Sequence, residues 1–142
     1  AATHTMGACT QEEAGDIRNK WVTAKAAELL LDGLPWRAVG FNCYTLLTRS
    51  ADTSLRCEAI SVLDSAENAG ANLLRTWAFA DGSTWNALQP TAGVFDERVF
   101  ATLDWLIVEA RRRGLRLLLA LTNFWSDYGG LPQYVRGAQG LK

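Results

Sequence analysis

Three short apolar runs alternate with two segments of helical periodicity, and this alternation constrains the fold more than any other feature. The apolar runs lie at residues 38–44, 72–77 and 115–121. Between them, residues 54–69 and 97–113 carry apolar side chains at spacings of three and four, which is the period of an amphipathic helix. Strands that alternate with helices of this length favour right-handed crossovers and a parallel sheet. The sequence therefore predicts an α/β fold.

Capping and turn residues support these boundaries. Thr53 or Ser54 is a suitable N-cap for the first helix, and Asp96 is suitable for the second. An Asp-Gly pair at residues 32–33 lies between two apolar runs and predicts a β-hairpin ahead of the first core strand. A third helix is expected to begin within residues 131–136, after two consecutive glycines.

Each predicted core strand ends in polar and aromatic side chains. These are Asn42 and Tyr44, Arg75 and Trp77, and Asn123 and Trp125. Because the carboxyl ends of parallel strands meet at one edge of a sheet, the pattern predicts a ligand site there. A guanidinium fork of donors beside a flat indole suits a polyhydroxylated ligand or a carboxylate-lined site. An equally good structural interpretation is a core tryptophan beside a salt-bridged arginine.

Charge and composition argue against several classes of function. The chain has 14 basic and 15 acidic residues and a net charge of −1, which gives no support for binding to nucleic acid or to an anionic membrane. The single histidine, His4, lies far along the chain from the predicted site, so a serine–histidine or cysteine–histidine arrangement is not expected. Cys9, Cys43 and Cys57 form no CxxC motif and indicate neither a zinc site nor a disulfide scaffold.

The motifs of nucleotide binding are missing from the sequence. Neither GxGxxG nor GxxxxGK(S/T) occurs, so no nucleotide cofactor is expected, and a (β/α)8 barrel is favoured over a doubly wound fold. Such a barrel needs about 250 residues, whereas this chain of 142 residues supplies three core strands. We therefore expect residues 1–20 to be a flexible arm and residues 21–142 to be an incomplete barrel domain.

Several segments together resemble one enzyme family. They are Leu30–Gly33, Gly40–Tyr44, Leu74–Gly82, Val94–Glu97, Leu103–Asp104 and Asn123–Gly130. Through them the chain from Trp21 to Arg136 resembles the N-terminal portion of the plant-type endo-β-1,4-mannanases of glycoside hydrolase family 5. The most specific feature is RTWAF followed by WSDYGG fifty residues later.

The resemblance implies a (β/α)8 barrel that cleaves internal β-1,4-mannosidic bonds of mannans, glucomannans and galactomannans with retention. It implies secretion to the cell wall, and it implies no cofactor, metal or protein partner. Enzymes of this kind use two glutamates, an acid/base after the fourth strand and a nucleophile after the seventh. Both are expected to lie beyond Lys142, so this chain alone is expected to be inactive.

Four residues carry over from the family to this sequence as substrate-binding residues. Arg75 matches the arginine beneath the catalytic centre, which would hydrogen-bond the nucleophile and hold it ionised. Trp77 matches a tryptophan that contacts substrate near the cleavage site. Trp125 and Tyr44 match aromatic positions that line the cleft.

The carboxylates present in the chain are assigned structural roles. Asp81 and Asp127 follow neighbouring strands, so a catalytic pair is geometrically conceivable, but turn capping through their own backbone is favoured. The glutamates on predicted helices that are expected to be solvated are Glu58, Glu97 and Glu109.

Two alternative functions remain open at the level of sequence. One is a truncated, non-catalytic product that binds polysaccharide weakly through Trp77, Trp85 and Trp125. The other is a small α/β binding module of a different kind. An incomplete barrel would leave an unpaired edge on the strand at 115–121, where Arg116 is the single charge, so the isolated chain is expected to be poorly folded, oligomeric or prone to aggregation.

Overall fold

The computed structural model describes residues 21–140, which form an α/β fold with two three-stranded sheets. The predicted arm, residues 1–20, lies outside the described residues. The strands are β1 (Val22–Lys25), β2 (Glu28–Leu31), β3 (Leu34–Pro35), β4 (Gly40–Asn42), β5 (Leu73–Trp77) and β6 (Arg116–Ala120). The helices are α1 (Leu46–Ser50), α2 (Arg56–Asn68), α3 (Glu97–Arg112) and α4 (Gly130–Ala138), with a 3-10 turn at Thr53–Leu55.

The first sheet is antiparallel and contains the predicted hairpin. Asp32 and Gly33 have φ angles of 54° and 77° between β2 and β3, as the favoured two-residue hairpin turn requires. Strand β1 pairs with β2 and was not predicted. Its sequence is short and mostly exposed, and the turn that follows has Ala26 at a φ of 52°, so neither alternation nor turn composition signals it.

The second sheet is parallel, with the order β4-β5-β6, as the alternation of strands and helices predicts. Asn42, Arg75 and Leu118 lie side by side in one row of this sheet. Helix α3 connects β5 to β6, and α2 lies between β4 and β5 in the chain. The three strands therefore end at the same edge, which positions their C-terminal residues together.

One face of the parallel sheet is packed by helices, and the other face is uncovered within residues 21–140. The hydrophobic core combines residues of the sheet with residues of α1, α2 and α3 and includes Leu46, Leu47, Ala59, Leu63, Leu74, Val99, Leu106 and Leu115. On the opposite face Arg75 is exposed and Leu118 is 52% exposed. Leu118 therefore lies on a face that no described element covers, although it belongs to a continuous apolar run.

Helix boundaries differ from the predictions at the first helix and agree at the second. The carboxylate of Asp96 accepts a hydrogen bond from the Arg98 amide at 2.9 Å, which confirms the predicted cap of α3. Ahead of α2, the carboxylate of Asp52 caps the 3-10 turn, so α2 begins at Arg56 and neither predicted residue is its N-cap. Helix α1 was missed because five residues are too few to display a helical period.

Glu109 is buried, which corrects the expectation that it is solvated. It is 6% exposed and forms ion pairs with Arg112 and with Arg113, whose Nη1 lies 2.8 Å from the Glu109 carboxylate. Arg113 Nε also lies 2.6 Å from Asp64 on α2, so Arg113 links α2 and α3. The methylene groups of Glu109 pack in the interface between the helices. The two guanidinium groups compensate the charge of its carboxylate there.

The two cysteines among the described residues differ in their chemical state. Cys43 is a free thiol, but Cys57 is disulfide-bonded. Pairing of cysteines depends on their proximity in the folded chain, and the wide spacing in the sequence does not reveal it.

Replacing Glu109 by glutamine is expected to lower the free energy of unfolding by about 1–3 kcal/mol, the cost of losing a charged hydrogen-bond partner while Arg113 keeps its ion pair with Asp64. The change leaves Arg113 with a partly buried charge facing a neutral amide. Urea unfolding measures the effect. Glu67→Gln, at an exposed position of α2, is the control and should change the midpoint little. Equal midpoints for the two variants would contradict the structural role given to Glu109.

Candidate functional site

Arg75 lies on the uncovered face of the sheet and is held by Asn42. Its Nη1 donates a hydrogen bond to Asn42 Oδ1 at 2.8 Å, and its carbonyl oxygen accepts one from the Cys43 amide at 2.9 Å. Within residues 21–140 the guanidinium has no carboxylate partner, unlike Arg113. The interpretation of Arg75 as a salt-bridged core residue therefore does not hold for this part of the chain. Its remaining donors are available to a ligand or to a carboxylate.

Trp77 lies two residues after Arg75 on the same face of β5, and three aromatic rings surround it. The ring centroids of Tyr44, Phe79 and Tyr128 are 4.8, 4.9 and 5.1 Å from that of Trp77. Phe79 is buried, whereas Trp77 is only partly buried and Tyr44 is exposed. Trp77 is thus a supported aromatic surface at the edge of the core, suited to contact with a flat, partly apolar ligand.

The structure brings together Arg75, Trp77 and Tyr44 of the four predicted site residues. Trp125 lies on the loop after β6, is 69% exposed and packs its ring against Phe124 at 6.0 Å. It therefore lies at the same sheet edge but in a separate aromatic pair. Leu121 and Phe124 are also strongly exposed beside it. Several exposed apolar side chains on one loop are typical of an interaction site or of a face covered by further chain.

Sequence reasoning did not assign Phe79 or Tyr128 to the site. The period of a strand could have identified Phe79, because a residue two positions after Trp77 lies on the same face of the sheet. Tyr128 has a weaker signal, because it precedes two glycines in a loop that follows a strand. Its contact with Trp77 depends on the path of that loop, which periodicity does not describe.

Asp81 shapes the loops and does not face a substrate. It is 3% exposed, and its amide donates a hydrogen bond to the Tyr128 carbonyl at 2.9 Å. Burial raises the pKa of the Asp81 carboxyl, and a hydrogen bond with the Tyr134 side chain lowers it in part. Burial also raises the pKa of Tyr134, as does the neighbouring Asp81. A carboxylate pair of Asp81 with the exposed Asp127 is therefore not an accessible catalytic arrangement.

Neither a metal-binding cluster nor a membrane-spanning helix is found among the described residues. Residues 21–140 contain no group of three or more histidine, cysteine, aspartate or glutamate side chains placed to bind a metal. No helix among them combines the length and the apolar character needed to cross a membrane.

Comparisons with known proteins agree on one family. The family described as "GH family 5 beta-mannosidase-like" matches residues 19–141. Mannan endo-1,4-beta-mannosidase 1 of Solanum lycopersicum is 44% identical over 120 residues, which are 84% of this chain and 30% of that protein. Mannan endo-1,4-beta-mannosidase 5 of the same species is 44% identical over 119 residues, which are 84% of this chain and 28% of that protein.

Solved structures give the same result. The glycoside hydrolase family 5 mannosidase from Rhizomucor miehei superposes with a TM-score of 0.79 at 25% identity, and the match covers 86% of this chain and 32% of that chain. The endo-β-1,4-mannanase from Thermotoga petrophila superposes with a TM-score of 0.62 at 33% identity. This match covers 75% of the present chain and 24% of the Thermotoga chain. The fold is thus an α/β fold of the type found in these mannanases.

The chain belongs to the β-mannosidase-like proteins of glycoside hydrolase family 5, as the resemblance of its motifs implies. It spans about 30% of the length of the tomato relatives that it matches.

Asp81→Asn is expected to make stability less dependent on pH. Because burial raises the pKa of Asp81, the folded state binds the proton more tightly than the unfolded state does. The stability contributed by Asp81 is therefore fully present below the unfolded pKa of about 4 and is lost as the pH rises through the folded pKa. Urea unfolding at pH 4 and pH 7 should show the variant gaining stability relative to the unmodified protein at the higher pH.

Asp104→Asn, on the exposed side of α3, is the matched control. It removes a carboxylate that is exposed, so its effect on the free energy of unfolding should be small. An Asp81→Asn variant whose difference from the unmodified protein is independent of pH would contradict the burial of an ionisable carboxyl at this position.

Proposed function

We propose that this chain forms the first part of a (β/α)8 barrel that cleaves internal β-1,4-mannosidic bonds of mannans, glucomannans and galactomannans. The observation that carries the proposal is the placement of Arg75 and Trp77 together on the uncovered face of a parallel sheet, at the ends of its strands. In barrel enzymes the active site lies at this end of the strands. The names of the tomato relatives supply the substrate class.

The proposed mechanism is retaining and uses two glutamates from strands that follow Lys142. Their carboxyl groups would lie about 5–5.5 Å apart, one as acid/base and the other as nucleophile. Arg75 would donate charge-assisted hydrogen bonds to the nucleophile and thereby keep its pKa low. The bond from Arg75 to Asn42 supports this role, since it holds one end of the guanidinium in place.

Trp77 would provide the surface against which a mannose ring packs. The flat face of a pyranose is apolar enough to stack on an indole, while the hydroxyl groups at its rim need hydrogen-bond partners. Tyr44 would support the indole from β4, and Trp125 would extend the aromatic lining along the cleft. No cofactor is needed for this chemistry. Because its substrates are cell-wall polysaccharides, the protein would act outside the cell.

A second candidate is a non-catalytic product that binds polysaccharide weakly. It is favoured by the exposure of Trp85 and Trp125, which are 51% and 69% exposed and lie on the loops after β5 and β6. Affinity electrophoresis of the 142-residue chain in gels containing galactomannan tests whether the chain alone binds polysaccharide. Retardation that Trp125→Ala abolishes would support the binding role, and unretarded migration would contradict it.

Replacing Arg75 by alanine in the full-length gene product is expected to lower kcat on galactomannan by about 10²–10³-fold, the usual loss when one electrostatic contact of an active site is removed. KM should change little, because the contact is to the nucleophile and not to the sugar. Lysine at the same position should restore only part of the activity, since an ammonium lacks the planar fork.

Arg37→Ala is the control for this experiment. Arg37 is exposed and precedes β4, at the end of that strand opposite to the site. The Arg37→Ala substitution should leave kcat unchanged. If Arg75→Ala were as active as Arg37→Ala, the role proposed for Arg75 would be wrong.

A further inference from the structure

The turn after β6 is held in an unusual backbone conformation. Tyr128, Gly129 and Gly130 follow one another with φ angles of 59°, 90° and 54°. Glycine adopts this left-handed region freely, but a residue with a bulky aromatic side chain rarely does. Such a conformation persists only when the surroundings enforce it, and it is found preferentially at functional sites.

Two loops enforce the turn. The Asp81 amide donates to the Tyr128 carbonyl at 2.9 Å, and the Leu131 amide donates to the Asn123 carbonyl at the same distance. A Cβ atom at Gly129 would lie 2.6 Å from Asp81 Cβ, and one at Gly130 would lie 2.0 Å from Asn123 Oδ1. The glycines are therefore required by both conformation and space. Tyr128 is fixed between the loop after β5 and the start of α4.

The ring of Tyr128 is placed by this turn against Trp77. The two rings meet edge-on, with their planes at 81° and their centroids 5.1 Å apart. The ring of Tyr128 also meets Tyr44 edge-on, at 89° and 6.3 Å. Edge-to-face contacts of this kind are favourable and directional. The indole of Trp77 is thus contacted by rings from the ends of three neighbouring strands, with Tyr128 supplied by β6.

We propose that Tyr128 is a positioning residue whose ring fixes the plane of the Trp77 indole for contact with a sugar. The inference rests on the proposed function and deepens it, because it adds a residue that acts through Trp77 and does not touch the reacting atoms. A tilted indole would still be present in the cleft, but its flat face would no longer match the bound pyranose ring. Weaker binding with an intact catalytic step is the expected consequence.

Two substitutions separate the ring from the turn. Tyr128→Asn removes the ring, yet asparagine tolerates the left-handed conformation, so the backbone of the turn is expected to persist. Tyr128→Phe keeps the ring and removes the hydroxyl. Phe95→Leu is the matched control, because it removes one ring from the Phe95–Phe100 pair, which has a centroid distance of 5.5 Å.

The experiment measures kcat and KM of the full-length gene product on mannohexaose. Alongside, the ¹⁹F NMR signal of Trp77 is recorded after labelling with 5-fluorotryptophan, with Trp77→Phe used for its assignment. Tyr128→Asn is expected to raise KM by about 3- to 10-fold, the loss of one aromatic contact, with kcat nearly unchanged. It should also shift or broaden the Trp77 signal. Tyr128→Phe and Phe95→Leu should match the unmodified protein in both measurements.

The outcomes separate this inference from the proposed function. An active enzyme in which Tyr128→Asn changes KM and the Trp77 signal no more than Phe95→Leu would overturn the positioning role and leave the proposed function intact. An inactive protein whose Trp77 signal still moves on Tyr128→Asn would overturn the proposed function and leave the placement of the indole intact. Equal losses in Tyr128→Phe and Tyr128→Asn would assign the effect to the hydroxyl and overturn the inference.

Discussion

The pairing of β5 between β4 and β6 is the constraint on which the rest of the structure depends. Successive side chains of β5 point to opposite faces of the sheet. Leu74 and Thr76 therefore lie in the core beneath the helices, while Arg75 and Trp77 lie on the opposite face. A register shift of one residue would exchange the two sets, placing a guanidinium in the core and a leucine in the site. The packing of α2 and α3 on one face therefore determines which side chains the other face presents.

Residues at the ends of the strands and in the loops that follow them hold Arg75 and Trp77 in place. Asn42, the last residue of β4, holds Arg75, and Tyr44, in the loop that follows, contacts Trp77. The loop after β5 buries Asp81, whose amide binds the backbone of Tyr128 after β6. The residues that follow or end β4 and β6 thus orient Arg75 and Trp77, and the loop after β5 fixes the backbone of Tyr128. Rigid strands that carry adaptable loops are the general way in which α/β enzymes form a site.

Turn residues, helix caps and hydrophobic periodicity in the sequence predict those features of the fold that depend on residues close together in the chain. The hairpin at Asp32-Gly33, the cap at Asp96 and the parallel sheet follow from turn chemistry, capping and periodicity, and the structure has all three. Features that depend on tertiary proximity were missed. The burial of Glu109 requires arginines brought to it by helix packing, and the approach of Tyr128 to Trp77 requires a turn clamped by a distant loop. The motif resemblance identified the family, which the comparisons confirm.

The central claim is that the uncovered face around Arg75 and Trp77 is the wall of a mannan-binding cleft. A crystal structure of the full-length gene product with bound mannohexaose tests it most directly. The account predicts a mannose ring packed on the indole of Trp77 and the Arg75 guanidinium hydrogen-bonded to a glutamate from a later strand. Mannohexaose bound elsewhere, with Trp77 covered by later chain segments and Arg75 paired to a carboxylate outside the cleft, would contradict it.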